Sequence, residues 1–332
     1  MPQIAFMTLH DRTPWLRQTP GGDGDWHGWR YRLNDAGPGA DWLVVYDELK
    51  TAVVSDLPRD RRALVITEPP GIKVYRPGFL RQFGLVISPV AIAGFQSRQI
   101  VSDVGHPWQI GLDMTSTAAT YPSRWDWAGL RDLPLGIKHH RLSAVISTKS
   151  WLPKHRARVD FVRALADRLG DRFDLLGRGF REIDDKAEAI LPYSHHLVIE
   201  NNDEDGFFTE KITDSYLGWA LPIFSGCRDI ERYFPADSMV RFDLAAPDAI
   251  ERVIAALDAP VDARRLAAIA EARVAVMDRA NIFARLTDVL GRLDATPPVR
   301  APAPLHPNEA FAPLTKRLKV GWRRLKRRIF PK

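Results

Sequence analysis

The feature that most constrains this chain is its rhythm of short apolar runs alternating with amphipathic segments. Leu43-Val44-Val45 and Leu64-Val65-Ile66 are apolar at consecutive positions rather than alternate ones. A strand of that kind is buried on both faces, as in a parallel sheet covered by helices. Strands are expected at Ile4–Leu9, Trp42–Tyr46, Ala63–Thr67 and Leu85–Ile87 in the first half. The second half begins with another buried run, Ser143–Ser147. A helix follows, with Val159, Val162, Ala166 and Leu169 on one face. Next come strand Phe173–Leu176, a Gly177-Arg178-Gly179 turn, strand His196–Ile199 and a polar loop. A helix from Thr209 to Trp219, strand Leu221–Phe224 and helices over Pro247–Leu257 and Asp262–Leu293 complete the pattern. The order predicts two α/β domains, 1–140 and 141–295, each with a parallel sheet.

Composition adds the position of the charge. Of 47 Lys and Arg residues, nine lie between Lys316 and Lys332, which hold no acid; residues 1–315 keep 38 bases against 41 acids. The overall excess of +6 therefore belongs to the tail, and the body is mildly acidic. This argues against nucleic-acid binding by the body. Residues 296–313 are rich in proline and read as a semi-rigid extended linker. In 314–332, Leu314, Leu318, Trp322, Leu325 and Ile329 share one helical face surrounded by bases. That pattern fits an anionic membrane, a partner groove or nonspecific nucleic-acid binding, and the apolar stripe with its central Trp favours a reversible contact with the membrane. No run approaches the roughly 20 apolar residues needed to span a bilayer. The N-terminal residues lack the basic and apolar regions of a secretory signal. With Cys227 as the single cysteine, no internal disulfide can form. The expected location is the cytoplasm, peripherally on the cytoplasmic face of a membrane.

Chemistry concentrates between Ile199 and Ile212. The stretch leaves a strand, crosses the loop Glu200–Gly206 and enters a helix that Thr209 can cap. Ligands of open α/β sheets bind at the carboxyl ends of strands, where helix N-termini favour anions. Lys211 adds a full positive charge there, and Glu210 is an acceptor suited to ribose or sugar hydroxyls. Asp203-Glu204-Asp205 contains a D-x-D, a pattern that can hold a divalent metal but is common by chance.

Glu200-Asn201 followed by Thr209-Glu210-Lys211 resembles glycosyltransferase family ten, the α-1,3/4-fucosyltransferases. Gly177-Arg178-Gly179, Lys186, Leu191-Pro192-Tyr193, Leu221–Gly226, Arg232–Pro235 and the helix containing Arg158 resemble further motifs of that family in order and spacing. The resemblance covers roughly 143–245 and is faint over 1–140. It implies a GT-B fold, two Rossmann-like domains facing across a cleft, and inverting transfer from GDP-fucose to a glycan hydroxyl without an essential metal or other cofactor. It further implies that Arg158 and Lys211 neutralise the diphosphate and that Asn201 and Glu210 bind ribose or sugar. Gly177, Arg178 and Phe207 would complete the donor site, although Phe207 stands where the family usually has Tyr. The family takes its general base from the N-terminal domain. The best match is Glu68, in Ile66-Thr67-Glu68-Pro69-Pro70, with Asp47 and Glu48 as alternatives. The expected partners are thus a nucleotide sugar, a cell-surface glycan acceptor or its lipid-linked precursor, and an anionic membrane. A different nucleotide sugar, or a catalytically silent glycan- or nucleotide-binding protein, are the alternatives.

Overall fold

The computed structural model of the protein describes residues 1–68, 72–148, 153–293 and 298–313. The chain folds into two compact units. Unit one comprises Met1–Asp11, Gly28–Ser102 and 298–313; unit two comprises Arg12–His27 and 103–293. Both are α/β with parallel sheets, as the apolar runs require.

In unit one, six parallel strands lie in the order Trp29–Leu33, Gln3–Thr8, Trp42–Tyr46, Arg62–Val65, Leu85–Ser88 and Arg98–Val101. The chain steps from Gln3–Thr8 to one side, then returns to the other side and continues outward. The order therefore reverses beside the first strand. All five residues of Trp42–Tyr46 are buried, as are all four of Arg62–Val65. Trp29–Leu33 and Arg98–Val101 were not expected as strands, because most of their side chains are polar or partly exposed.

Unit two has five parallel strands in the order Phe173–Leu176, His139–Val145, Tyr193–Ile199, Leu221–Ser225 and Val240–Arg241. Here the order reverses between His139–Val145 and Tyr193–Ile199. Successive strand residues serve opposite faces, as the pleat dictates. Leu197, Ile199 and Ile223 pack with Phe161, Val162 and Leu165 of helix Pro153–Leu169 and with Val253 and Leu257 of helix Ala249–Asp258. Val198 and Phe224 pack on the other side with Ile212 and Tyr216 of helix Glu210–Leu217 and with Ile269 and Val276 of helix Ala263–Asp278. The single helix expected over Asp262–Leu293 is two, because Asn281 caps a new start at Ile282 through the Phe283 N–H (2.9 Å).

The structure draws two boundaries differently from the sequence. The division near 140 lies instead at 102/103, because Trp108, Ile110 and Leu130 are buried in the core of unit two beside Ile212 and Tyr216. The irregular segment around them is held by Arg17. Its guanidinium donates to the carbonyls of Trp108 (2.6 Å), Ile110 (3.0 Å) and Trp125 (3.0 Å) and to the Ser123 hydroxyl (2.8 Å). Burial lowers the Arg17 pKa to about 10, against the opposing charges of Asp214 and Asp185, so it remains a cation at neutral pH.

The proline-rich segment is the second difference. Its described part, 298–313, docks on unit one rather than running free. Ala303–Leu305 pairs antiparallel with Val53–Ser55, Leu305 is fully buried, and the Asn308 N–H donates to Glu48 Oε1 (2.7 Å). Phe311 lies over Gly78, where any Cβ would fall 2.2 Å from the ring. An edge position tolerates Pro304, and the apolar residues between the prolines supply the burial. The amphipathic tail, with Leu314, Leu318, Trp322, Leu325 and Ile329, lies outside the described residues.

Replacing Arg17 with Met strands the buried carbonyls of Trp108 and Ile110. We expect a loss of about 3–5 kcal/mol in urea denaturation of Arg17→Met, and wild-type stability would contradict the role assigned to this guanidinium.

Candidate active site

Unit two carries a cavity of about 310 Å³ where its strand order reverses. Val145 ends one strand there, with Ile146 and Ser147 just beyond it, and Asn201 follows the other. This is the crevice at the carboxyl ends of parallel strands where open sheets bind ligands. Four cations line it, Arg158, Arg178, Lys186 and Lys211, together with Glu210, Gly177 and Gln109.

Glu200 organises the cationic side. Its carboxylate is fully buried. One oxygen accepts from the Thr209 N–H (2.8 Å) and hydroxyl (2.7 Å), and the other from Lys211 Nζ (3.0 Å). Thr209 in turn caps helix Glu210–Leu217, accepting from the Lys211 N–H, while Lys211 Nζ donates to the Thr209 hydroxyl (2.8 Å). Gly226 makes room for Glu200, since a Cβ there would lie 2.7 Å from Glu200 Cβ. The ammonium of Lys211 is thereby fixed at the helix N-terminus. Burial works against its charge, but Glu200 and then Glu210 more than offset this and raise its pKa.

Beside it, Lys186 reaches Glu210 (3.4 Å) and the deeply buried Asp214 (3.2 Å). Glu210 and Asp214 are one helical turn apart, so both face the same lysine. Burial alone would raise the Glu210 pKa; Lys211, then Lys186 and His106, hold it well below the usual carboxylate range. Asp214 moves the other way, raised chiefly by burial. Arg158 projects from helix Pro153–Leu169 and donates to Asn201 Oδ1 (2.7 Å). Its Nε is buried without a hydrogen-bond partner among the described residues. Burial lowers the Arg158 pKa, against the opposing charge of Glu200. The turn after Phe173–Leu176 approaches closely because Gly177 (φ +110°) has no Cβ; one would lie 2.4 Å from the Ile146 carbonyl.

Six of the seven residues assigned to a donor site thus line one cavity. The seventh, Phe207, is buried with its ring 6.4 Å from His106 and does not line it. Gln109, which carries no local sequence signal, arrives on the segment held by Arg17 and donates its N–H to Asp214 (3.0 Å). Asp214, not among the residues expected from sequence, does carry a usable signal in its place four residues after Glu210. The acids of the D-x-D loop each face a cation: Asp203 meets Lys154 (2.5 Å), and Asp205 meets Arg228 (3.0 Å). Among the described residues no three potential metal ligands converge.

Glu68 lies in unit one, half-buried just beyond strand Arg62–Val65; Pro69 and Pro70 are outside the described residues. The two alternatives are engaged elsewhere. Asp47, at φ +66°, accepts from Lys73 (2.9 Å) and from the Tyr75 hydroxyl, with His10 at 3.7 Å. Burial opposes its ionisation, but the His10 contact, the charge of Lys73 and the Tyr75 bond bring its pKa to about 2. A carboxylate so stabilised is a poor proton acceptor. Glu48 faces Lys73 (3.4 Å) and holds the Asn308 backbone.

No family model matches this chain, and no curated protein is similar to it. Among solved structures it is similar to an α1,3-fucosyltransferase with GDP-fucose, at 16% identity and a TM-score of 0.43, over 84% of this chain and 83% of that one. It is similar to an α1,3-fucosyltransferase with GDP at 14% identity and a TM-score of 0.44, over 85% and 92%. A UDP-forming α,α-trehalose-phosphate synthase from Burkholderia xenovorans gives 10% identity and a TM-score of 0.43, over 76% and 73%.

The Asp47 cluster predicts a pH dependence. A folded pKa of about 2 lies below the roughly 3.9 of an unfolded aspartate. The group therefore stabilises the fold above about pH 4 and loses that contribution as pH falls toward 2, a swing of about 2 kcal/mol. The stability gap between wild type and Asp47→Asn should shrink correspondingly between pH 5 and 2 in urea titrations; a constant gap would refute the assignment.

Proposed function

We propose that this protein is an inverting glycosyltransferase of GT-B architecture that moves fucose from GDP-fucose to a glycan hydroxyl. The observation that carries the proposal is the convergence of Arg158, Lys186 and Lys211 on one cavity at a strand-order reversal, with the acceptors Glu210 and Asn201 beside them. A nucleoside diphosphate leaving group gains negative charge as the glycosidic bond breaks. Fixed cations therefore stabilise the transition state more than the ground state. Arg158 and Lys211 meet the diphosphate, and Glu210 and Asn201 accept from ribose or sugar hydroxyls. Gly177 and Arg178 form the wall of the site. Because side-chain cations supply the positive charge, the proposed reaction calls for no metal.

The fucosyl group and the guanine base rest on the motif resemblance between Arg158 and Asp243. Inversion requires a base that takes the acceptor proton as the sugar is attacked from the opposite face. Glu68, just beyond the carboxyl end of the buried strand Arg62–Val65, has that role here. The acceptor is a cell-surface glycan or its lipid-linked precursor, met at the cytoplasmic face of a membrane on which residues 314–332 lie.

Four measurements test these assignments. GDP-fucose should raise the melting temperature of the wild type more than UDP-sugars do, and Lys211→Ala should lower turnover by about 10²–10³ while keeping the fold. Wild-type turnover in that variant would remove the lysine from the mechanism. Glu68→Gln should keep GDP binding and lose about 10²–10⁴ of the transfer rate; an active variant moves the base elsewhere. Deletion of 314–332 should release the protein from anionic vesicles without unfolding it, and persistent binding would refute the tail assignment.

A further inference from the structure

Unit one holds a second cavity, of about 260 Å³, that no step above uses. It lies at the carboxyl ends of strands Gln3–Thr8 and Trp29–Leu33 and beside the loop leaving Trp42–Tyr46. Gln3–Thr8 and Trp42–Tyr46 flank the point where the order of this sheet reverses, the position at which open sheets bind ligands. The volume is near the lower end of small-molecule pockets and suits a single ring.

Its lining has a defined chemistry. Met7 and Leu49 give it apolar surface. Asn34 stands at φ +51° with Oδ1 accepting the Thr8 N–H (2.8 Å), which fixes the amide and commits its NH₂ to donation. The Thr8 hydroxyl accepts from the His10 N–H (3.1 Å), leaving its own hydrogen to donate. Asp11 and Lys50, an ion pair, add a carboxylate acceptor and an ammonium donor at zero net charge. An apolar ligand would leave the donors of Asn34 and Thr8 unmatched, and an anionic one would have to compete with Asp11 for Lys50. A ring with one apolar face and several hydroxyls satisfies both surfaces.

We propose that this cavity binds an uncharged sugar residue. That the sugar belongs to the glycosyl acceptor rests on the function proposed above; that it binds does not. The test is saturation-transfer NMR on the full chain without nucleotide sugar, using methyl β-galactoside, methyl β-glucoside, methyl α-mannoside and glucuronate. At least one neutral glycoside should bind. Thr51→Trp, which fills the cavity from an exposed lining position, should weaken binding at least ten-fold. Asp11→Asn should weaken it several-fold and decides the matter if the tryptophan variant does not fold. Absence of binding by every neutral glycoside, binding indifferent to the variants, or tighter binding of glucuronate would each overturn the inference. Turnover of a nucleotide sugar without cavity-dependent glycoside binding sinks this site and leaves the transferase proposal standing. Cavity-dependent binding without turnover of any nucleotide sugar does the reverse.

Discussion

The candidate active site depends on one buried carboxylate. Glu200 has no access to water, so its charge is tolerable only with partners on both oxygens. Thr209 and Lys211 provide them. The same bonds close the loop Glu200–Gly206, set the first turn of helix Glu210–Leu217 and hold an ammonium at its N-terminus. Three consequences thus follow from one ionised group, and the cavity has its cationic wall before any ligand arrives. Such preorganisation removes the cost of gathering like charges when a ligand binds.

Around that hub the charges alternate. Lys211 lies between Glu200 and Glu210, and Lys186 between Glu210 and Asp214. Each cation is offset by an acid, so the site is stable without a ligand. An incoming anion then joins a network already assembled. The low pKa of Glu210 and the raised pKa of Lys211 are two expressions of this alternation. In unit one Asp47 is held in a comparable way by Lys73, Tyr75 and His10, which makes it a poor proton acceptor.

Much of this was legible beforehand, for local reasons. Trp42–Tyr46 and Phe173–Leu176 appear with the bounds their apolar runs suggest. Thr209 caps the helix it precedes, because a threonine before a turn of Glu and Lys has few other uses for its hydroxyl. What escaped was set by contacts distant in sequence. The Arg17 guanidinium meets the Trp108 carbonyl across 91 positions, and Lys186 meets Glu210 across 24. No periodicity encodes such pairs. The segment 298–313 is the same case: its prolines suggested a spacer, while Leu305 and Phe311 bury it against unit one.

The sequence by itself determined the class of fold, two parallel α/β sheets, because fully apolar runs can be satisfied only between layers of helix. It also determined the strand–loop–helix passage around Glu200, since caps and turns are settled by neighbours. Only the tertiary structure decided where one unit ends and the next begins, and which side chains share a cavity. Those choices turn on buried polar groups finding partners far along the chain. A free carbonyl or carboxylate in the interior is too costly to leave, and the partner that removes the cost is visible only once the chain has folded.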